Sequence, residues 1–279
     1  MSVRSPNVRR VNSPAELSDD ERPSLSLPLP PGRLIRHHDT GTPALWMTDG
    51  PVPGDLWAAA HAGHGDSGLW PLLLAPLSTD DAEFRPWASG ELYAERVTEP
   101  GRHDPAEVLA DWWADHTEPE GGEDAEERYA VTAPYGARWP GPAPAGVIQA
   151  DPDALAAGYA EHLAASAPSV RLGLVSAARG ADALAATGWS GPLNYTDDTA
   201  EIAAVVADWE RRFGARVVGV GFADLFLSVA APPRTLEEAL PVAAEHFAIC
   251  PDNVWQDAQT LMAYAERLVG VNAWEFWWD

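Results

Sequence analysis

Residues Thr196 to Ala230 read TDDTAEIAAVVADWERRFGARVVGVGFADLFLSVA. In the first half, Ile202, Val205, Val206, Trp209 and Phe213 recur at the three-to-four-residue spacing of one helix face. Asp198 and Glu201 form a capping-box-like pair, and Gly214 supplies the stop. The second half turns to two β-rich runs around Phe222, Ala223 and Asp224, which predicts a hairpin with a short loop. A helix that feeds a hairpin, repeated with other helices and strands downstream, predicts a mixed β-sheet with helices packed on one face, an α+β fold.

Working outward, TLEEALPVAAEHFAIC begins with a Thr235/Glu238 capping box and predicts a helix kinked at Pro241 and ended by Pro251. NVWQDAQTLMAYAERLVG predicts another, with Trp255, Ala258, Leu261, Met262, Ala265 and Leu268 inward and a stop at Gly270. NAWEFWWD then alternates as a strand, with Trp274, Phe276 and Trp278 toward a core and Glu275, Trp277 and Asp279 on the other face. Trp277 is expected to pack against the N-terminal half. Upstream, VRLGLVSA predicts a strand, and DPDALAAGYAEHLAAS a helix with Leu155, Tyr159, His162 and Leu163 near one face.

Before a Pro/Gly linker at ARWPGPAPAG the signals are shorter. PALWMTD reads as a strand and PVPGDLWAAAHA as a helix. GLWPLLLAPL is a buried run whose Pro71 and Pro76 favour an edge or first-residue placement. HDPAEVLADWWADH is a helix capped by Asp104, and the acidic EPEGGEDAEE after it reads as a solvated loop. The expected organisation is a disordered arm over residues 1–30, a smaller N-terminal α+β region over 31–140, and an α+β domain over 150–279.

Composition excludes several functions. The 46% hydrophobic content and 13 Trp of the 279 residues require a packed core. No apolar run approaches the roughly 20 residues of a membrane span, and no secretory signal is visible, so a cytoplasmic location is expected. A formal net charge of −24, with 18 Arg and no Lys, argues against nucleic acid and anionic membranes as partners. The lone Cys250 cannot form an internal disulfide or a cysteine-based zinc site.

The pieces GWSGPLNY, WERRFGARVVGVGF, EHFAICPDN and FWWD, in that order between about Val170 and Asp279, resemble the bacterial domain-of-unknown-function family 4253. The resemblance implies a fold unit and transfers no catalytic residue, cofactor or partner.

Three groups of side chains carry potential chemistry. His246 and Cys250 are four apart on a predicted helix with Asp252 just beyond, a spacing that can activate a thiol; the competing reading is core packing beside Phe247. Trp189, Asn194, Tyr195 and Asp197 gather an indole, an amide, a phenol and a carboxylate in one turn-rich loop, a mixture that suits recognition; the competing reading folds Trp189 inward. His61, His64 and Asp66 have the composition of a metal site but lack a further ligand, so they read as a polar loop, as do His37, His38 and Asp39. Gly219 and Gly221 lack the third glycine of a dinucleotide fingerprint and read as space left for a helix or a ring. No cofactor and no metal is expected. The function expected from these residues is a non-enzymatic binding or protein-interaction module, regulatory or neutralising, with another protein as partner. The alternative is a small enzyme or ligand-binding domain using the Cys/His/Asp cluster.

Overall fold

The computed structural model describes residues 27–119 and 125–279. One mixed sheet organises them, from β1 (Gly32–Arg36), β2 (Pro43–Thr48), β3 (Leu69–Leu74), β4 (Arg171–Ser176), β5 (Ala215–Val220), β6 (Asp224–Val229) and β7 (Ala273–Trp277). The strand order is β1-β2-β4-β3-β5-β6-β7. The β3/β5 pair is parallel and the other neighbouring pairs are antiparallel.

The predicted α+β class and mixed sheet are present. Most helices gather on one face: α3 (Pro105–Thr117), α6 (Gly180–Ala186), α7 (Thr199–Phe213), α8 (Leu236–Ile249) and α9 (Leu261–Leu268) contribute to the core that contains Leu45, Met47 and Val217. The other face is covered in part by α1 (Gly54–Ala62) and α5 (Pro152–Ser166), which bury Trp57, Ala156 and Ala160 with Trp46 and Val218. Two residues apart along β2, Leu45 and Met47 share a face while Trp46 takes the other, as a pleated strand requires. Beyond α1 a single turn, α2 (His64–Ser67), leads into β3, and a short α4 (Ala125–Val131) follows α3.

Strands from 31–140 and from 150–279 alternate in this sheet, with β3 lying between β4 and β5. The Pro/Gly stretch between them is tied down, because Ala143 is buried and Gly146 N–H donates to Arg212 O at 3.0 Å. Of the expected arm, residues 1–26 lie outside the described residues, and Leu29, near its end, is buried in the α1/α5 core.

Several local readings are corrected. β3 is central, although Pro71 pointed to an edge. The reason is that β5 joins β3 only at Leu73 and Leu74, so around Pro71 the strand has one ladder partner, β4, and a missing N–H costs little. Asn253–Ala258 forms a π-helical turn that ends at Gln259 in the left-handed region (φ 68°), and Thr260 then caps α9. This break turns Met262 outward to 36% exposure, against the expected continuous inward face. Part of the acidic stretch expected as loop forms α4, from Ala125 to Glu127 onward. In α5 the buried side is Ala156, Ala160 and Leu163, with His162 exposed.

Trp274, Phe276 and Trp278 point into the core as expected. Trp277 is 36% exposed on the edge strand β7, and the opposite face there is met by α5, whose Tyr159 hydroxyl donates to Glu275 Oε1 at 2.6 Å. The two halves are joined within the sheet itself, where β2 pairs with β4 and β3 with both β4 and β5. No helix of the described residues is long and apolar enough to cross a membrane.

Candidate functional site

The two candidate groups of the C-terminal half are brought together, and both are used as structure. His246 is fully buried among the rings of Trp209, Trp274 and Phe276, at centroid distances of 5.0, 4.5 and 4.8 Å. Its Nδ1 meets the Tyr264 hydroxyl at 3.1 Å, Nε2 has no partner among the described residues, and burial pushes its pKa down to about 3. Cys250 is sealed, its thiol donating to Trp277 O at 3.0 Å, and burial pushes the thiol pKa up, the reverse of what an activated nucleophile needs. Asp252, also buried, accepts from Asp279 N–H at 3.1 Å, from Gln256 Nε2 at 2.8 Å and from the Tyr195 phenol.

The Tyr195–Asp252 bond joins the loop candidates to the Cys/His/Asp candidates. Asn194 Nδ2 donates to Asp279 O, and the exposed Asp197 stands outside the cluster. Trp189 is fully buried, its indole N–H shared between Gly221 O at 3.0 Å and Phe222 O at 3.1 Å. The loop is thus a clasp over the last strand. Cys250 should accordingly resist alkylation in the native state, with mass spectrometry after iodoacetamide treatment as the check. Labelling of the folded protein as fast as of a denatured control would contradict this packing.

The open chemistry lies elsewhere, at the end of the sheet where β3 and β5 splay apart. They pair only at Leu73 and Leu74, so at Trp70 the space between them is filled by the indole itself, whose Nε1 donates to Val217 O at 3.0 Å. Gly180, the first residue of α6, lies so close that a Cβ there would stand 2.9 Å from the Trp70 ring and from Val217 Cβ. This close approach sets Arg179 beside β5. The result is a cleft of about 630 Å³, lined by His61, His64, Trp70, Arg179, Glu210 and Arg216 among others.

The polar groups of the cleft differ in how far they are engaged. Arg216, in β5, donates Nε to Asp153 at 2.7 Å and Nη1 to Ala215 O at 2.9 Å, and Arg179 donates Nε to Asp182 at 3.1 Å. Glu210, in the last turns of α7, accepts Ala181 N–H at 3.0 Å on Oε1. Burial raises its pKa to about 7, an effect that Arg216 and Arg179 only partly offset. His61 stacks on Trp57 at 4.8 Å and stands edge-on to Trp70 at 4.7 Å; burial lowers its pKa, which favours the neutral ring. Its Nε2 is buried with no hydrogen-bond partner among the described residues. His64 Nε2 meets Ala177 O at 2.9 Å.

The composition of HAGHGDSG drew attention to His61 and His64, and the cleft uses both but not Asp66. Among the described residues no group of three or more His, Cys, Asp or Glu is placed to hold a metal ion. Arg179, Glu210 and Arg216 carried no local signal, because they reach the histidines only through the β3/β5 pairing. His37 ties its loop instead, between Thr42 Oγ1 and Ala186 O at 3.1 Å each, and Asp39 accepts the N–H groups of Ala94 and Glu95.

Residues 171–279 match the family DUF4253, a domain of unknown function. The DUF4253 segment opens on the first residue of β4 and runs through β7. It supplies Arg179, Glu210 and Arg216 to the cleft, while His61, His64 and Trp70 come from the preceding part of the chain. No curated protein and no solved structure matches the chain.

Proposed function

We propose that the protein is a cytoplasmic, non-enzymatic binding module whose ligand site is the cleft at the β3/β5 splay. The observation that carries this reading is the convergence of His61, Arg179, Glu210 and Arg216, from three distant parts of the sequence, on one cavity of about 630 Å³, within the size range of small-molecule sites. Perturbed titratable groups in a cleft are a recognised mark of function. A role in capturing another protein draws less support, since nine of the 13 tryptophans are buried and so serve the core. Catalysis through His246, Cys250 and Asp252 is disfavoured by their burial.

A carboxyl group held at a raised pKa costs stability, and groups kept at such a cost are commonly functional. The folded-state pKa of Glu210, about 7, exceeds the ordinary 4.5, so the folded chain binds a proton that the unfolded chain releases between those values. Stability is therefore lost as pH rises through that window. Glu210→Gln keeps an acceptor for Ala181 and removes the charge. It is expected to gain on the order of 1–3 kcal/mol at pH 8, a gain that fades by pH 5, as thermal melts would show. Native mass spectrometry of protein from its own host should reveal a small-molecule adduct that Glu210→Gln and His61→Ala both lose. An adduct retained by both variants would place the ligand elsewhere.

A further inference from the structure

Resting on the reading of the cleft as a ligand site, the balance of used and unused hydrogen-bonding groups identifies what it would receive. The carboxylates in and beside the cleft each already take a donor: Asp153 takes Arg216 Nε on Oδ1, Asp182, outside the lining, takes Arg179 Nε through both oxygens, and Oε1 of Glu210 takes Ala181 N–H. The donors are in surplus. Among the described residues the hydrogen bonds of Arg179 use only Nε and those of Arg216 only Nε and Nη1, so Nη2 of Arg216 and both Nη atoms of Arg179 are left over. Both guanidinium groups and Glu210 line the same cavity. Planar guanidinium forks match the paired oxygens of a carboxylate or phosphate better than any other common group. In its acid form Glu210 would add an O–H donor on the oxygen that Ala181 leaves free.

We propose that the cleft takes a small molecule carrying an oxyanion, a carboxylate or a phosphate, received by the free Nη atoms of Arg179 and Arg216, with Glu210 holding a neighbouring polar atom and the His61 ring forming part of the wall. The excess of acidic residues elsewhere on the chain does not oppose this, because local donors decide a site of this size while distant surface charges are screened within about 8–10 Å.

Isothermal titration calorimetry on the full chain tests the proposal, with inorganic phosphate as one arm and acetate, malonate and succinate as the other. At least one arm should give saturable binding, and which one does so separates a phosphate from a carboxylate ligand. Arg179→Gln and Arg216→Gln should each weaken it by about tenfold or more, as expected for losing a charge-assisted hydrogen bond. Arg234→Gln, a charge change outside the cleft, should leave it unchanged, and melting curves would verify that each variant is folded. Arg179→Gln is the safer variant, since that side chain is half exposed. Binding that survives both cleft variants would overturn the proposal. If both arms are silent while glycerol or guanidinium binds and protects the cleft, the oxyanion class falls and the ligand site stands. If no probe binds and no adduct is found on the host protein, both readings fall.

Discussion

Glu245→Ala should destabilise the protein by about 3–5 kcal/mol, the range for breaking a buried ion pair from one side. Glu245 lies in α8 with no exposed surface, and each of its oxygens is committed. Oε1 accepts Ala143 N–H at 2.5 Å, while Oε2 accepts Trp209 Nε1 and Arg212 Nη2, each at 2.6 Å. Arg212 in turn donates Nη1 to Ala143 O at 2.8 Å and Nε to Asp208 at 2.5 Å. Truncating Glu245 would thus orphan an amide, an indole N–H and one arm of a guanidinium in a site that water does not reach. The same cluster fastens the Pro/Gly stretch to α7 and α8. Chemical denaturation would measure the loss, and limited proteolysis should show new cleavage near Ala143. A cost below about 1 kcal/mol, with the stretch still protected, would mean that the cluster does not bear on stability.

This network shows where sequence reading stops. Helix α7 could be read in full, because its face repeats within one element and its caps, Asp198 and Gly214, adjoin it. The hairpin and the last strand were equally plain from alternation and a short loop. The central place of β3 was not, since an all-apolar run flanked by prolines has no period, and its position depends on a parallel partner more than a hundred residues away. The π-helical turn was hidden because its residues carry the same apolar spacing as a continuous helix, and only the left-handed Gln259 and the Thr260 cap mark where α9 restarts. The cleft was legible in one half only. His61 and His64 are three residues apart in sequence, whereas Glu210 and Arg212, two residues apart on one helix, serve different purposes: Glu210 faces the cleft and Arg212 the buried network.

The largest effect is expected from removing residues 274–279. β7 has a single ladder partner, β6, so main-chain pairing alone would hold it weakly as an edge strand. What holds it is one face of rings. Trp274, Phe276 and Trp278 are 1%, 1% and 3% exposed; Phe276 stacks on Trp209 at 5.5 Å, Trp274 meets Phe213 edge-on at 5.3 Å, and Trp278 Nε1 donates to Ile249 O at 2.8 Å. Aromatic side chains bury about 150–250 Å² each, which at roughly 25 cal/mol per Å² gives about 4–6 kcal/mol per ring as an upper value. Three rings therefore match or exceed the whole stability of an ordinary domain, about 5–15 kcal/mol. Deletion would also expose His246 and Cys250 and take away the carbonyl that receives the thiol. The shortened chain should accumulate as insoluble protein or lack a cooperative thermal transition. Trp277→Ala is the internal control: its ring is 36% exposed on the opposite side of the same strand, so its loss should stay within about 1 kcal/mol. A shortened chain that melts cooperatively at the parent temperature would show that the aromatic face is dispensable. Equal losses from Trp277→Ala and Trp274→Ala would show that the two faces of β7 do not differ in the way their burial requires.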